Sequence, residues 1–402
     1  MVRRFLPALG AAASLALLVT GCGSTSNIDT GAGSSSSGGA GAPAASFGDQ
    51  ICSETTAAKP GYKNTIAKIP GGADKLSGAG STFVAPIMSI WTKDFASAEQ
   101  TEVAYQSIGS GGGVQQISAG TVDFGASDTP MKDTELAAAK GGQILHIPLT
   151  LGAVVPVYNL KGLPSGIKFD GPVLGKIFAG EITTWDDPAL KALNPDLQLP
   201  SEPIAVAHRS DGSGTTAVWT DYLTKASPEW VAKLGGPDKS SGKEVAWPAG
   251  IGGKGNEGVS GVVNQTDGAI GYVELAYAIA QNLTYGQVKN ASGKFVQPCV
   301  ATISKGTEGV KYPADLRASL TNGPDKDAFP ITGTTYALVY ADQKDKAKAA
   351  STVNFLSWVL TTGQDDAAQI NYAPLGKDLQ KLAFAQVEKV TVNGSPVAGG
   401  AQ

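Results

Sequence analysis

Four glycine- and hydroxyl-rich segments constrain how this 402-residue chain can fold. They are Gly78-Ala79-Gly80-Ser81-Thr82-Phe83, Gly109-Ser110-Gly111-Gly112-Gly113, Gly125-Ala126-Ser127-Asp128-Thr129 and His208-Arg209-Ser210-Asp211-Gly212-Ser213-Gly214-Thr215. Residues 101–106, 122–127 and 144–149 read as strands, and residues 83–95, 113–119 and 132–140 read as helices. A second set follows, with strands at 154–158, 204–207 and 268–273 and helices at 171–179 and 215–225. A strand at 336–340 and a helix at 345–360, with Phe355, Leu356, Val359 and Leu360 on its apolar face, come late, and the tail from Val390 reads as loop. Strands alternating with short helices predict an α/β sheet with ligands at the C-terminal ends of its strands. Three of the four segments precede a predicted helix, where free N–H groups and the positive end of the dipole suit an anion. Glycine lets the backbone approach closely, and Ser or Thr adds a hydroxyl donor. The competing reading is that they are ordinary N-caps and turns.

The N-terminus carries a different signal. Arg3 and Arg4 precede an apolar run, residues 5–19, that is shorter than the ~20 residues a membrane-spanning helix requires. Residues 1–21 therefore read as a secretory signal peptide. The run ends Leu18-Val19-Thr20-Gly21-Cys22, which resembles the lipobox of bacterial lipoproteins, in which the cysteine is acylated on its thiol, as with palmitate, and becomes the mature N-terminus. Residues 31–46 contain only Gly, Ala, Ser and Pro, too little apolar surface to offset ordering entropy. Residues 22–74 are accordingly assigned to a lipid anchor and flexible tether; as a random coil, its Gly/Ser-rich part would reach roughly 25–30 Å. With Cys22 lipidated, Cys52 and Cys299 remain, and outside the cytoplasm an even remainder implies one disulfide; the alternative is two buried free thiols.

Composition excludes several classes. There are 31 basic and 35 acidic residues, a formal net charge of −4, which gives no electrostatic footprint for nucleic acid. Two His and three Cys leave little for a multi-ligand transition-metal site, and no cofactor is implied. None of Gly175-Lys176, Gly242-Lys243 and Gly253-Lys254 is followed by Ser or Thr, so no P-loop is present. Val114 breaks a dinucleotide fingerprint begun by Gly109-Ser110-Gly111. His208, Asp211 and Ser213 can be written as a hydrolytic triad, but one short segment does not give the three mutual geometry.

Six ordered blocks together resemble the periplasmic phosphate-binding proteins that feed the high-affinity phosphate ABC importer. They are residues 76–83, 122–128, Gly180-Glu181-Ile182-Thr183-Thr184-Trp185-Asp186-Asp187-Pro188, 209–215, Gly252-Gly253-Lys254-Gly255-Asn256 and 268–273, within a match from Leu76 to Leu375. The resemblance implies a two-lobe α/β fold of the periplasmic-binding-protein kind (type II, Venus-flytrap), with mixed central sheets and crossing hinge strands. It divides the chain into lobe 1 (75–152 and 328–390), lobe 2 (153–327) and a tail (391–402). It also implies phosphate contacts at Thr82, Phe83 (backbone N–H), Ser110 and Asp128 from one lobe. From the other come Arg209, Ser213, Gly214 (backbone N–H) and Thr215, with Asp211 holding the Arg209 guanidinium. His208 departs from relatives that carry a second Arg there.

On this reading the protein is a monomeric, extracytoplasmic, lipid-anchored receptor, not an enzyme, whose partners are inorganic phosphate and the importer's permease. Competing readings are a secreted phosphatase or esterase, and the same fold binding another oxyanion or acting as a surface interaction lipoprotein. Donor counting favours phosphate: an ionised Asp128 can only accept, so it can take the proton of a P–OH but faces sulfate lone pair to lone pair.

Overall fold

In the computed structural model, the residues described are Cys52, 61–64 and 66–398; the expected signal peptide and Cys22 lie outside them, as do most of the tether and the last four residues of the tail. Strands β1 (Lys75–Gly80), β2 (Glu102–Ser107) and β3 (Phe124–Ser127) alternate with helices α1 (Ala85–Glu99) and α2 (Ser110–Ala119). Next come β4 (Ile144–Tyr158), β5 (Lys168–Phe169), helix α3 (Gly171–Phe178), β6 (Ala205–Arg209) and helix α4 (Gly214–Ala226). They are followed by β7 (Ile251–Gly253), helix α5 (Gly255–Gln265), β8 (Ala269–Glu274), β9 (Thr284–Tyr285), β10 (Gln287–Lys289) and β11 (Phe295–Val296). The chain closes with β12 (Thr332–Tyr340), β13 (Asp342–Gln343), α6 (Lys346–Val359), α7 (Lys377–Val387), β14 (Thr391–Val392) and β15 (Ser395–Pro396); several shorter helices lie between these elements.

The main sheet has the order β2-β1-β3-β12-β4-β8-β6-β7, with β9 on β4. β1 is parallel to β2 and β3, β12 is antiparallel to β3 and β4, β8 is antiparallel to β4, and β6 is parallel to β8 and β7. Glycines set β1 tightly on β3: a Cβ on Gly78 would overlap the Phe124 ring, and one on Gly80, at φ +144, would strike the Ala126 carbonyl. Helix α1 buries Ile87, Met88, Trp91 and Phe95, a stripe with helical spacing.

Two sequence expectations are corrected at the centre of the sheet. The strands expected at 144–149 and 154–158 are one 15-residue strand, β4, buried throughout. Gly152 masks the continuity in the sequence, yet it keeps the strand intact because the Phe83 ring fills the place of its Cβ. β4 pairs with β12 from Ile144 to Ala153 and with β8 from Val154 to Tyr158, so it changes partner within one strand. The second correction is that β12 starts at Thr332, not at 336. Thr332 and Thr335 look unlike core, but their hydroxyls are satisfied by the Phe329 carbonyl and by Asp128. Pro148, which lacks an N–H, sits where the β4–β12 register shifts.

Both ends of the described chain are also more ordered than the sequence suggests. Within the stretch assigned to the tether, Tyr62 packs on Phe384, and Ile69 exchanges two backbone hydrogen bonds with the Asn354 amide. The apolar residues Tyr62, Ile66 and Ile69 supply the packing surface that the Gly/Ser run lacks. The tail read as loop from Val390 instead forms a small sheet, β13-β14-β15. Its hairpin turns at Asn393 and Gly394, both at positive φ, the signature of a type I′ turn.

Cys52 and Cys299 are joined in a disulfide with Cα atoms 5.9 Å apart, across 247 positions of sequence. Replacing both by serine is expected to lower the unfolding free energy by up to about 5 kcal/mol, the chain-entropy value for so long a loop. Urea unfolding of the double variant against the parent measures it, and an unchanged midpoint would show the bridge to be energetically idle.

Candidate functional site

Four helix starts meet at one place. Thr82 and Phe83 lie just before α1, Ser110 opens α2, Ser213 is the N-cap of α4 with Gly214 and Thr215 in its first turn, and Gly255 and Asn256 open α5. The first N–H groups of a helix have no intrahelical acceptor, so the convergence concentrates donors and positive dipole ends. The sheet causes it: β1, β2, β6 and β7 each deliver the helix start that follows their C-terminal end.

Asp128, directly after β3, is the acceptor in this ring of donors. Its Oδ1 accepts from Ser81 Oγ at 2.5 Å and Thr335 Oγ1 at 2.8 Å, and its Oδ2 accepts from Ser110 Oγ at 3.1 Å. A carboxylate offers about four acceptor positions, so one remains. Gly214 stands against it so closely that a Cβ there would lie 2.4 Å from both Asp128 Oδ2 and Ser110 Oγ. Burial raises the Asp128 pKa; the three hydroxyls and Arg209 oppose the rise without cancelling it.

Arg209 ends β6 with a side chain only 1% exposed. Its Nε and Nη2 donate to the two oxygens of Asp211 at 2.8 and 2.6 Å, a fork-to-fork pair that fixes the guanidinium plane. Nη1 is left to point inward and lies 3.5 Å from Thr215 Oγ1. Burial raises the Asp211 pKa, but Arg209 and the Gly255 N–H outweigh it and the net shift is downward. The two sides of the site meet directly where the Gly111 N–H donates to the Gly212 carbonyl at 2.8 Å.

The structure thus brings Thr82, Ser110, Asp128, Arg209, Asp211, Gly214 and Thr215 into one contact network. Ser213 Oγ accepts from the Thr216 N–H at 3.0 Å, which leaves its proton for another acceptor. Phe83 is buried beside them, its carbonyl accepting from the Tyr372 hydroxyl at 2.5 Å. His208 stacks on Trp247 with ring centroids 4.9 Å apart and its Nδ1 2.9 Å from the Arg209 carbonyl, so it braces the strand end and is not in triad geometry with Ser213. The other histidine, His146, is buried and accepts the Met131 N–H on Nε2; burial pushes its pKa down to about 4, so it is neutral.

Sequence reasoning passed over several members of the site. Ser81 and Thr335 hold Asp128, and Asn256 touches both Thr82 and Thr215. The Tyr272 hydroxyl accepts the Arg209 N–H and is 2.6 Å from Thr216 Oγ1, while its ring stacks on Trp219. Ser81, Asn256 and Tyr272 lie within the six blocks, and for Ser81 and Asn256 a helix start preceded by glycines is the available signal; Tyr272 and Thr335 sit in mid-strand, where nothing local marks a role at the site.

A profile of the PBP superfamily domain matches residues 53–362. The chain is 43% identical over 310 residues to the phosphate-binding protein PstS of Xylella fastidiosa, covering 76% of this chain and 83% of that one. To the phosphate-binding protein PstS of Haemophilus influenzae it is 41% identical over 331 residues, covering 81% and 96%. Among solved structures, the high affinity periplasmic phosphate-binding protein PfluDING, determined with phosphate bound, aligns with a TM-score of 0.63 at 20% identity, over 77% of this chain and 93% of that one. Fold and match define a binding protein of the PBP superfamily, mixed α/β with a curled mixed sheet. Within it, the chain belongs to the family of PstS phosphate-binding proteins.

The electrostatics of Asp128 make a stability prediction. Its folded-state pKa lies above the unfolded one, so the native state holds that proton more tightly; the resulting stabilisation is present below the ordinary carboxylate range and is lost as pH rises through the folded value. Asp128→Asn removes that loss. The ligand-free variant is expected to melt higher than the parent at pH 8 and to converge with it near pH 4, at about 2–4 °C per kcal/mol. Equal melting differences at both pH values would contradict the assignment.

Proposed function

We propose that the chain is an extracytoplasmic receptor that captures inorganic phosphate and delivers it to the permease of a phosphate ABC importer, acting as a carrier and not as an enzyme. The names and sequence identity of its relatives support this reading. The observation that carries it is one buried carboxylate with a single acceptor position left, set within a ring of helix N-termini. Phosphate near neutral pH still has a P–OH to donate there, and its other oxygens accept from the surrounding donors. Sulfate has no such proton, and a site that leaves a buried polar group unpaired rejects an analogue by ~10⁴–10⁵.

In this reading Thr82, Ser213 and Thr215 donate hydroxyl protons, Ser110 contributes its first-turn backbone N–H because its hydroxyl proton is held by Asp128, Phe83 and Gly214 donate backbone N–H groups, and Arg209 supplies a guanidinium held by Asp211. Lobe 1 comprises 75–152 and 328–390, and lobe 2 comprises 153–327, with β4 crossing out between Gly152 and Val154 and the chain returning through residues 329–332. The ligand contacts both lobes only when they are closed, so binding shifts the population toward that state. Ion pairs between Glu135 and Lys243 at 3.0 Å and between Asp133 and Arg317 at 2.7 Å lie along the same junction and would break on opening. Residues 1–21 are a lipoprotein signal, Cys22 carries the lipid, and the mature protein is a monomer on the outer face of the membrane.

Calorimetric titration with phosphate, sulfate and arsenate, after endogenous ligand has been stripped, is the direct test. Tight phosphate binding with no heat from sulfate is expected; equal affinity for sulfate would defeat the selectivity argument. Asp128→Asn is expected to narrow the gap between phosphate and sulfate, and Arg209→Ala to weaken phosphate by ~100-fold or more through loss of a charge-assisted contact and an orphaned Asp211. Small-angle scattering should give a smaller radius of gyration with phosphate than without; identical radii would speak against lobe closure.

A further inference from the structure

Asn256 is fully buried at the start of α5, in the Gly252–Asn256 block that no ligand assignment uses. Its side-chain Oδ1 accepts the Glu274 backbone N–H at 3.0 Å, which identifies the oxygen end of the amide. Nδ2 therefore bears the two hydrogens. It donates to Thr82 Oγ1 at 2.8 Å and to Thr215 Oγ1 at 3.1 Å, residues that approach from opposite sides of the site.

Counting the lone pairs gives the consequence. A threonine hydroxyl has one proton and two acceptor positions. Thr82 Oγ1 receives both Asn256 Nδ2 and, at 3.3 Å, the Asn256 backbone N–H. Thr215 Oγ1 receives Asn256 Nδ2 and, at 3.5 Å, Arg209 Nη1. With both acceptor positions of each hydroxyl taken, neither can accept from a ligand, and each has only its proton to give.

We infer that Asn256 is a positioning residue: by filling the acceptor positions of Thr82 and Thr215 it makes both hydroxyls obligate donors to the oxyanion. The inference rests on the phosphate-binding reading above and deepens it, because it specifies which ligand oxygen goes where. Unprotonated oxygens fit opposite Thr82 and Thr215, and the P–OH is excluded from those positions and sent to Asp128. Asn256 and Asp128 thus impose opposite hydrogen-bond polarity on the two ends of one ligand.

The test is a double-mutant cycle on phosphate affinity, read by calorimetry. Asn256→Ala is expected to weaken phosphate by about 100-fold, the order expected for two misdirected hydrogen bonds to a charged acceptor. In a Thr82→Val, Thr215→Val background the same substitution is expected to change affinity by less than about 2-fold, because its route of action is gone. An equal loss in both backgrounds would overturn the inference and leave phosphate binding itself untouched. If the unsubstituted protein does not bind phosphate, both readings fall. Melting curves accompany each variant; should Asn256→Ala fail to unfold cooperatively, Asn256→Ser, which retains a small polar group but cannot span both threonines, takes its place in the cycle with the same expected non-additivity.

Discussion

β4 runs for 15 residues without an exposed side chain, and it changes partner between Ala153 and Val154. On one side β12, β3, β1 and β2 are stacked in order; on the other are β8, β6 and β7. The loops that supply Thr82, Ser110 and Asp128 belong to the first group, and those that supply Arg209, Gly214 and Asn256 belong to the second. Their relative placement is therefore set by backbone pairing along one strand. Gly152 next to the switch is filled by the Phe83 ring, and Glu274, paired with Val154, is a buried carboxyl whose pKa is pushed well up by desolvation. Phe83, which ends the segment 78–83 before α1, thus also packs against the strand that joins the two sides.

The formal charge of the proposed site does not favour an anion. Its one buried guanidinium is already paired with Asp211, and Asp128 adds a further negative group, so formal charge does not attract the ligand. What remains is oriented neutral dipoles, namely first-turn N–H groups and hydroxyl protons, with the Nη1 end of the Arg209 guanidinium as the one charged donor. Such dipoles cost little reorganisation because the fold holds them in place, and they discriminate by direction as well as by sign. An acidic protein can hold an anion this way, since bulk charge does not report where its donors point.

Much of this was legible in the sequence, and the misses have physical causes. Helix starts at 83, 113 and 215 were visible because glycine and hydroxyl residues announce them, and those loops turned out to share one site. β4 was split because Gly152 interrupts the pattern, and its packing partner, Phe83, is about 70 residues away in the chain. β12 was shortened because Thr332 and Thr335 look solvent-facing until their buried acceptors are known. Asn256 lies in the 252–256 block but carries no legible role for the same reason: an asparagine reads as a loop residue until Glu274, Thr82 and Thr215 are found around it. The Asn393-Gly394 turn was missed although its signal is local.

The disulfide decides where mechanical load enters the body. Cys52 precedes β1 by more than 20 residues, and it is bonded to Cys299, far along the chain. Tension applied through the N-terminal segment is therefore delivered at Cys299, where the chain is held by the Thr302 side chain and by the Phe329 N–H on the Thr302 carbonyl. Residues 61–74 and the β1–β2 pair behind them lie inside the covalent loop and are shielded from that pull. A tug on the N-terminus loads a short helical corner and leaves the donor-bearing loops at the strand ends slack.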